Sequence, residues 1–183
     1  MKRVMSAVLA AAMVLVLCLT GCGNGKGEFS KLCFPDNASL KLSASRDEIV
    51  KAQNLELYES TSHSDPQTYY PKDHAKTTVA GIALSSMYRF TQDGKLDSVS
   101  YSTLDVRTRE EVLEVFDTVK NQFETVYGEA QPFSTESGHS GYFWSFEDDQ
   151  GNPYQAMVKT YPGDDDGNLY FTASIYPDTD GQR

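Results

Sequence analysis

Two six-residue stretches constrain this chain more than any others. Ser45-Arg46-Asp47-Glu48-Ile49-Val50 and Thr108-Arg109-Glu110-Glu111-Val112-Leu113 match in chemical type at every position. Each opens with a hydroxyl residue and places Glu three residues later. In that pattern the two side chains satisfy each other's otherwise unpaired N–H groups at a helix start. Acids in the first turn also suit the positive end of the helix dipole. A helix therefore begins at each box, and the stretch after each helix reads as strand.

The second helix carries Val112, Val115, Phe116, Val119, Phe123, Val126 and Tyr127 along one stripe, with Glu114, Lys120, Asn121 and Glu124 elsewhere. Gly128 then fits the position just past a helix end, and Pro132 prevents the helix from resuming. The first helix is shorter, over residues 46–54. Ile82, Leu84, Ser86, Tyr88 and Phe90 alternate as one strand face before the Asp93-Gly94 turn, and residues 96–103 return with Val99 and Tyr101 on the apolar side. Later, Tyr142, Trp144 and Phe146 alternate before a turn over 148–152, residues 154–161 return, and 169–176 form a last strand. Residues 60–78 read as a long loop.

The expected fold class is α+β, a helix packed on an antiparallel β-meander, used as two imperfect tandem repeats. The globular domain spans 32–183, with repeat halves 32–104 and 105–176. The boxes are 63 residues apart, whereas Met87-Tyr88-Arg89-Phe90 and Phe143-Trp144-Ser145-Phe146 are 56 apart, so the repeat is uneven.

The capping boxes, the Tyr127-Gly128-Glu129-Ala130-Gln131-Pro132 helix exit and the aromatic strand before a Gly turn resemble small envelope modules. The outer-membrane assembly lipoprotein BamE and the tandem beta-lactamase-inhibitor-protein-like fold are of this kind. The resemblance implies a protein-binding or scaffolding role, because such modules present a sheet face to a partner. It carries no binding residue across, and fold analogy alone does not establish function.

The N-terminus supplies a location. Lys2 and Arg3 precede an apolar run from Val4 to Leu19 broken only by Ser6. Sixteen helical residues reach ~24 Å, short of a ~30 Å bilayer core but ordinary for a signal segment. Leu19-Thr20-Gly21-Cys22 closes it and resembles the lipobox of bacterial lipoprotein signal peptides. The resemblance implies a signal peptide over 1–21, cleavage before Cys22, and a diacylglyceryl thioether on Cys22. Two acyl chains hold a protein stably on a bilayer where one does not. Residues 22–31 form a short Gly-rich tether. The expected location is the extracytoplasmic face of the cell membrane, or the outer membrane in a cell that has one.

Removing 21 residues from 183 leaves 162, one domain's worth. It also removes Lys2 and Arg3, leaving 14 basic against 26 acidic residues, a net charge near −12. Such a surface repels nucleic acid and anionic headgroups, so the expected contact with membrane is through Cys22 alone. Cys18 leaves with the signal and Cys22 is blocked by lipid. Cys33, between Leu32 and Phe34, reads as a small buried hydrophobe, so packing rather than a disulfide holds the domain.

Candidate chemistry misses at indispensable positions. Gly138-His139-Ser140-Gly141-Tyr142 lacks the last Gly of a nucleophile elbow and precedes a strand instead of a helix. The acidic stretches at Asp148, Asp164 and Asp178 put Phe146, Pro162 and Tyr176 where a calcium loop needs its first Asp, and none supplies the closing Glu. Turn geometry accounts for their composition, with weak calcium at the Asp164 cluster as an alternative. His63 and His74 lie too far apart for tight zinc spacing and lack soft co-ligands. No cofactor, metal or catalytic residue is expected. Tyr69 and Tyr70, beside Pro71, are the candidate partner-binding residues, since tyrosine is favoured at interfaces. The expected function is a non-catalytic lipoprotein that binds or scaffolds an envelope protein or cell-wall component. The alternative is a small-ligand-binding or enzymatic lipoprotein.

Overall fold

The structure is a computed structural model that describes residues 42–178, apart from 75, 106, 149 and 164–167. The signal segment, Cys22, the tether and Cys33 lie outside the described residues, as do the Asp164 cluster and 179–183. In chain order the elements are α1 (Arg46–Ala52), β1 (Leu55–Leu57), β2 (Gln67–Pro71), β3 (Lys76–Val79), β4 (Ile82–Phe90) and β5 (Leu96–Thr103). Then come β6 (Arg107–Thr108), α2 (Arg109–Tyr127), β7 (Gln131–Ser134), β8 (Ser140–Glu147), β9 (Pro153–Pro162) and β10 (Asn168–Pro177).

Both capping boxes are formed. The Ser45 N–H and hydroxyl donate to Glu48 Oε2 at 2.9 and 2.7 Å, while Glu48 N–H donates to Ser45 Oγ at 3.4 Å. At α2 the corresponding distances from Thr108 and Glu111 are 3.0, 2.8 and 3.4 Å. The hydroxyl bond first, and the backbone N–H second, hold the Glu48 and Glu111 carboxyls below the usual Glu range. At its other end α2 stops on Gly128, whose φ of 86° suits glycine.

The architecture is α+β. Among the described residues all strand pairs are antiparallel and belong to one sheet, ordered β1-β2-β4-β5-β10-β9-β8-β7, with β3 also on β4 and β6 also on β10. The two halves of the chain thus meet where β5 pairs with β10, with Tyr101 opposite Ala173 and Ser100 opposite Ser174.

One face of this sheet carries the core. Leu84, Tyr88 and Phe90 of β4, Val99 and Tyr101 of β5, Phe171, Ala173 and Ile175 of β10, and Ala156 and Val158 of β9 are buried there. The stripe of α2, namely Val112, Val115, Phe116, Val119 and Phe123, lies over β8, β9 and β10. Phe123 meets Trp144 edge-on at 5.3 Å, and Tyr127 stacks on Phe146 at 4.3 Å. Ring pairs of this kind each contribute about 0.5–1.5 kcal/mol beyond area burial. Ile49 of α1 and Leu42 join the same core.

Three hairpin tips share one device. Thr91, Thr135 and Asp148 each donate their N–H to the carbonyl four residues on, all at 2.9 Å, with a glycine of φ 82–83° at the fourth position. Their side-chain oxygens accept the fifth residue's N–H at 3.1, 3.2 and 2.8 Å. The residue type at the first position is therefore set by turn chemistry.

Two sequence expectations change. The segment 60–78 is not a long loop, because it contains β2 and β3, and a tight Ala80-Gly81 turn with φ of 47° and 77° leads into β4. These strands are short and polar, so their alternation is weak. The aromatic parallel between 87–90 and 143–146 also joins strands at different places. β4 adjoins the central pair, whereas β8 is second from the far edge. Alternation marks which face a residue takes, not its strand's place in the sheet.

Candidate functional site

Among the described residues, no helix covers the centre of the sheet on the side away from the core. Strand registers place Ser85 opposite Ser102, Met87 opposite Ser100 and Arg89 opposite Ser98. Across the next ladder, Ser102 faces Thr172 and Ser100 faces Ser174. Ser98, Ser100 and Ser102 alternate with the buried Val99 and Tyr101, so the period of two sends every serine of β5 to the open side. The result is a continuous strip of hydroxyls along the seam between the halves, half-buried and bordered by larger side chains.

Over that strip lies a hollow of about 420 Å³. Its floor is Ser98, Ser100 and Ser174, and Met87, Tyr176 and Pro177 rise around it. The Tyr176 hydroxyl donates to Gln155 Oε1 at 2.5 Å, which fixes the ring. Arg89 and Asp97 close one end, with Nε 3.8 Å from Oδ2. Both are about a third exposed or more, so the pair contributes at most ~1 kcal/mol to stability.

Asp97 reaches the hollow because β5 is irregular. Leu96 pairs with Phe90 and Ser98 with Arg89, which leaves Asp97 as an extra residue in the strand. Without this bulge, alternation from Val99 would turn Asp97 into the core and Leu96 outward. With it, Leu96 is buried and two successive residues, Asp97 and Ser98, line the hollow. Bulges commonly re-aim a side chain in this way beside functional sites. The parity break between Leu96 and Val99 is the signal in the sequence that could have revealed it.

The two candidate tyrosines take opposite faces. Tyr69 packs edge-on against Phe90 at 5.3 Å, on the core side. Tyr70 lies on the open side, donates to Met87 Sδ at 3.6 Å and meets the exposed Tyr58 edge-on at 5.7 Å. Only Tyr70 therefore borders the hollow, through Met87. Sequence reasoning missed Ser98, Ser100, Ser174, Arg89, Asp97 and Tyr176, having read these strands for their apolar side.

The near-motifs have structural explanations. Ser140 sits in β8 with its Oγ 3.5 Å from Thr160 Oγ1. Gly138 is the positive-φ turn glycine, and a Cβ on Gly141 would run into the Val158 carbonyl oxygen. Asp148 is buried and accepts from Gln150 N–H, Asn152 N–H and Asn152 Nδ2, each at 2.8 Å, so both carboxylate oxygens serve the turn. The His139 ring lies 5.4 Å from that of Tyr161, which stacks on Tyr170 at 5.1 Å. Among the described residues no three His, Cys, Asp or Glu are grouped to hold a metal, and no helix is long and apolar enough to cross a membrane.

A second hollow, of about 410 Å³, lies between the start of α2 and the β7–β8 hairpin, with Leu113, Phe116, Phe133 and Leu169 in its lining. Comparison with known proteins returns no family model, no curated protein and no solved structure that matches this chain.

Proposed function

We propose that this chain is a membrane-anchored, extracytoplasmic lipoprotein that catalyses no reaction and binds an envelope protein or cell-wall component with its open sheet face. The observation that carries the binding part is the hydroxyl seam over β5 and β10. Antiparallel sheets commonly leave one polar face to water. Here the face is also hollowed, lined by Met87 and Tyr176 with Tyr70 bonded to Met87 beside it, and modified by a bulge.

The free edges of the sheet favour the face over strand addition. Among the described strands with a neighbour on one side only, β1, β3 and β6 have three, four and two residues, and β7 contains Pro132, which cannot donate to an added strand. Acids are concentrated on helix starts and turns, whereas among the described residues the seam carries the offset Arg89–Asp97 pair, with Lys159 opposite Thr172 and Lys76 opposite Ser85 on the flanking strands.

The tether reading rests on Leu19-Thr20-Gly21-Cys22 behind its apolar run. Twenty residues from Cys22 to Leu42 reach at most ~70 Å when fully extended, which keeps the domain close to its membrane.

Two tandem modules account for the sheet order. α1 precedes β1-β2-β4-β5, and α2 precedes β7-β8-β9-β10, with the last strand of each meeting at the seam. α2 has 19 residues against 7 in α1. Those twelve extra residues lengthen the repeat offset from 63 at the boxes to about 75 in the strands, near the spacing of β1 to β7.

The experiment is a comparison of wild-type and Ser100→Arg protein for retention of solubilised envelope proteins and of purified cell wall. Loss of a specific retained component in the variant is expected. Equal retention by both proteins overturns the assignment to this face.

A further inference from the structure

We infer that the hollow over the β5–β10 seam binds a sugar unit of an uncharged glycan. The inference rests on the proposed function and names the ligand class of the same face.

Volume and lining constrain the ligand first. About 420 Å³ falls within the ~300–1,000 Å³ range of small-ligand pockets. The lining is mixed, setting three serine hydroxyls, Arg89 and Asp97 beside the apolar surface of Met87, Tyr176 and Pro177. An apolar ligand would strip water from the polar groups and return no hydrogen bonds. The ligand must therefore bring many polar groups of its own.

Backbone geometry narrows the class. From Val99 to Ser102 and from Thr172 to Ile175, β5 and β10 have strand neighbours on both sides. Their backbone groups there point along the sheet into ladder bonds, away from a ligand lying on its face. Asp97, Ser98, Tyr176 and Pro177 lie just past the end of that pairing. An extended peptide, which is read chiefly through its main chain, finds no partner on such a surface. Side-chain hydroxyls both donate and accept, and rotate to suit. Strands about 4.8 Å apart and same-face residues about 6.7 Å apart set them out as a grid. A ligand whose groups are also hydroxyls can meet that grid from either donor or acceptor side.

Charge complementarity gives the remaining constraint. In a chain of net charge −10 the hollow carries one cation and one anion, held 3.8 Å apart. Lys159, opposite Thr172, and Lys76, opposite Ser85, stand on the same side but outside the lining. An anionic glycan in the hollow would therefore still meet Asp97 and the protein's overall repulsion, and a cationic one would compete with Arg89 for Asp97. Adjacent sugar hydroxyls suit the pair, since the guanidinium offers several N–H donors and the carboxylate several acceptor sites. The Tyr176 ring and Met87 supply apolar surface for the C–H face of a pyranose.

Methionine reports directly on this surface. Beyond position 13 the chain has only Met87 and Met157, and Met157 pairs with Ser174 on the open side. Full-length protein in detergent, labelled at methionine methyls, is titrated with tetramers of glucose and of N-acetylglucosamine, and with a tetra-alanine peptide. A saturable shift of the Met87 methyl by at least one saccharide is expected, with no such shift from the peptide. Ser100→Phe and, independently, Arg89→Ala should weaken it about tenfold or more, while Glu114→Phe on the exposed side of α2 leaves it unchanged. Circular dichroism verifies folding of each variant. Absence of any saturable saccharide shift, undiminished binding in both hollow variants, or tighter binding of the peptide overturns the inference. A protein partner found on the same face with no saccharide shift overturns only the inference and leaves the proposed function standing.

Discussion

The indole Nε1 of Trp144 donates to the carbonyl of Gly128 at 3.0 Å, so the strand that fills the core beneath α2 also closes that helix. The same ring is buried and lies edge-on to Phe123 at 5.3 Å. Trp144→Phe keeps an aromatic ring but loses the donor. The expected cost is about 2 kcal/mol, from the unpaired carbonyl and the vacated volume. Urea unfolding measures it, and a loss under about 0.5 kcal/mol would contradict this role.

The two capping boxes predict a pH dependence with a definite sign. Hydrogen bonds from Ser45 and Thr108 lower the folded-state pKa of Glu48 and Glu111 relative to the unfolded chain. Their contribution is therefore present above the usual Glu range and disappears as pH falls through the lowered folded values. The melting-temperature gap between wild type and Glu48→Gln/Glu111→Gln should narrow on going from neutral pH to about pH 3. A gap independent of pH would show that the charged boxes do not form.

Asp148 predicts a graded series at the β8–β9 turn. Asp148→Ala leaves the N–H groups of Gln150 and Asn152 without their acceptor, at a cost of about 1–3 kcal/mol. Asp148→Asn keeps one oxygen for those bonds and sets its amide against Asn152 Nδ2, so it should fall between alanine and wild type. Chemical denaturation orders the three proteins. Asparagine as costly as alanine would mean that the backbone bonds are not what the side chain supplies.

Cys22 predicts a change of compartment. Wild-type protein should incorporate labelled palmitate and sediment with membranes, whereas Cys22→Ser protein should do neither. Labelled, membrane-bound Cys22→Ser protein would remove the lipobox reading.

How much the sequence discloses depends on the range of the interactions involved. Both boxes are legible because Ser45 and Thr108 meet their glutamates within one turn. The strand 82–90 and its return over 96–103 are legible because a five-residue turn joins them. The seam is not, because the pairing of Ser100 with Ser174 joins residues 74 positions apart, with no local signature. The serines of β5 were visible as an alternating polar set, yet polar alternation ordinarily means only a wet face. Their meaning comes from Ser174, Arg89 and the bulge at Asp97, which tertiary pairing alone brings beside them. Tyr69 and Tyr70 show the same limit, since adjacency in a strand separates side chains to opposite faces.

The central claim is that the open face, and not the helical side, meets the partner at the membrane. The most direct measurement places a photo-crosslinking amino acid at Ser100 on the seam, or at Glu114 on exposed α2, in lipid-anchored protein in living cells. The account predicts discrete adducts from position 100 and none from 114. Adducts from position 114 with none from position 100 would contradict it.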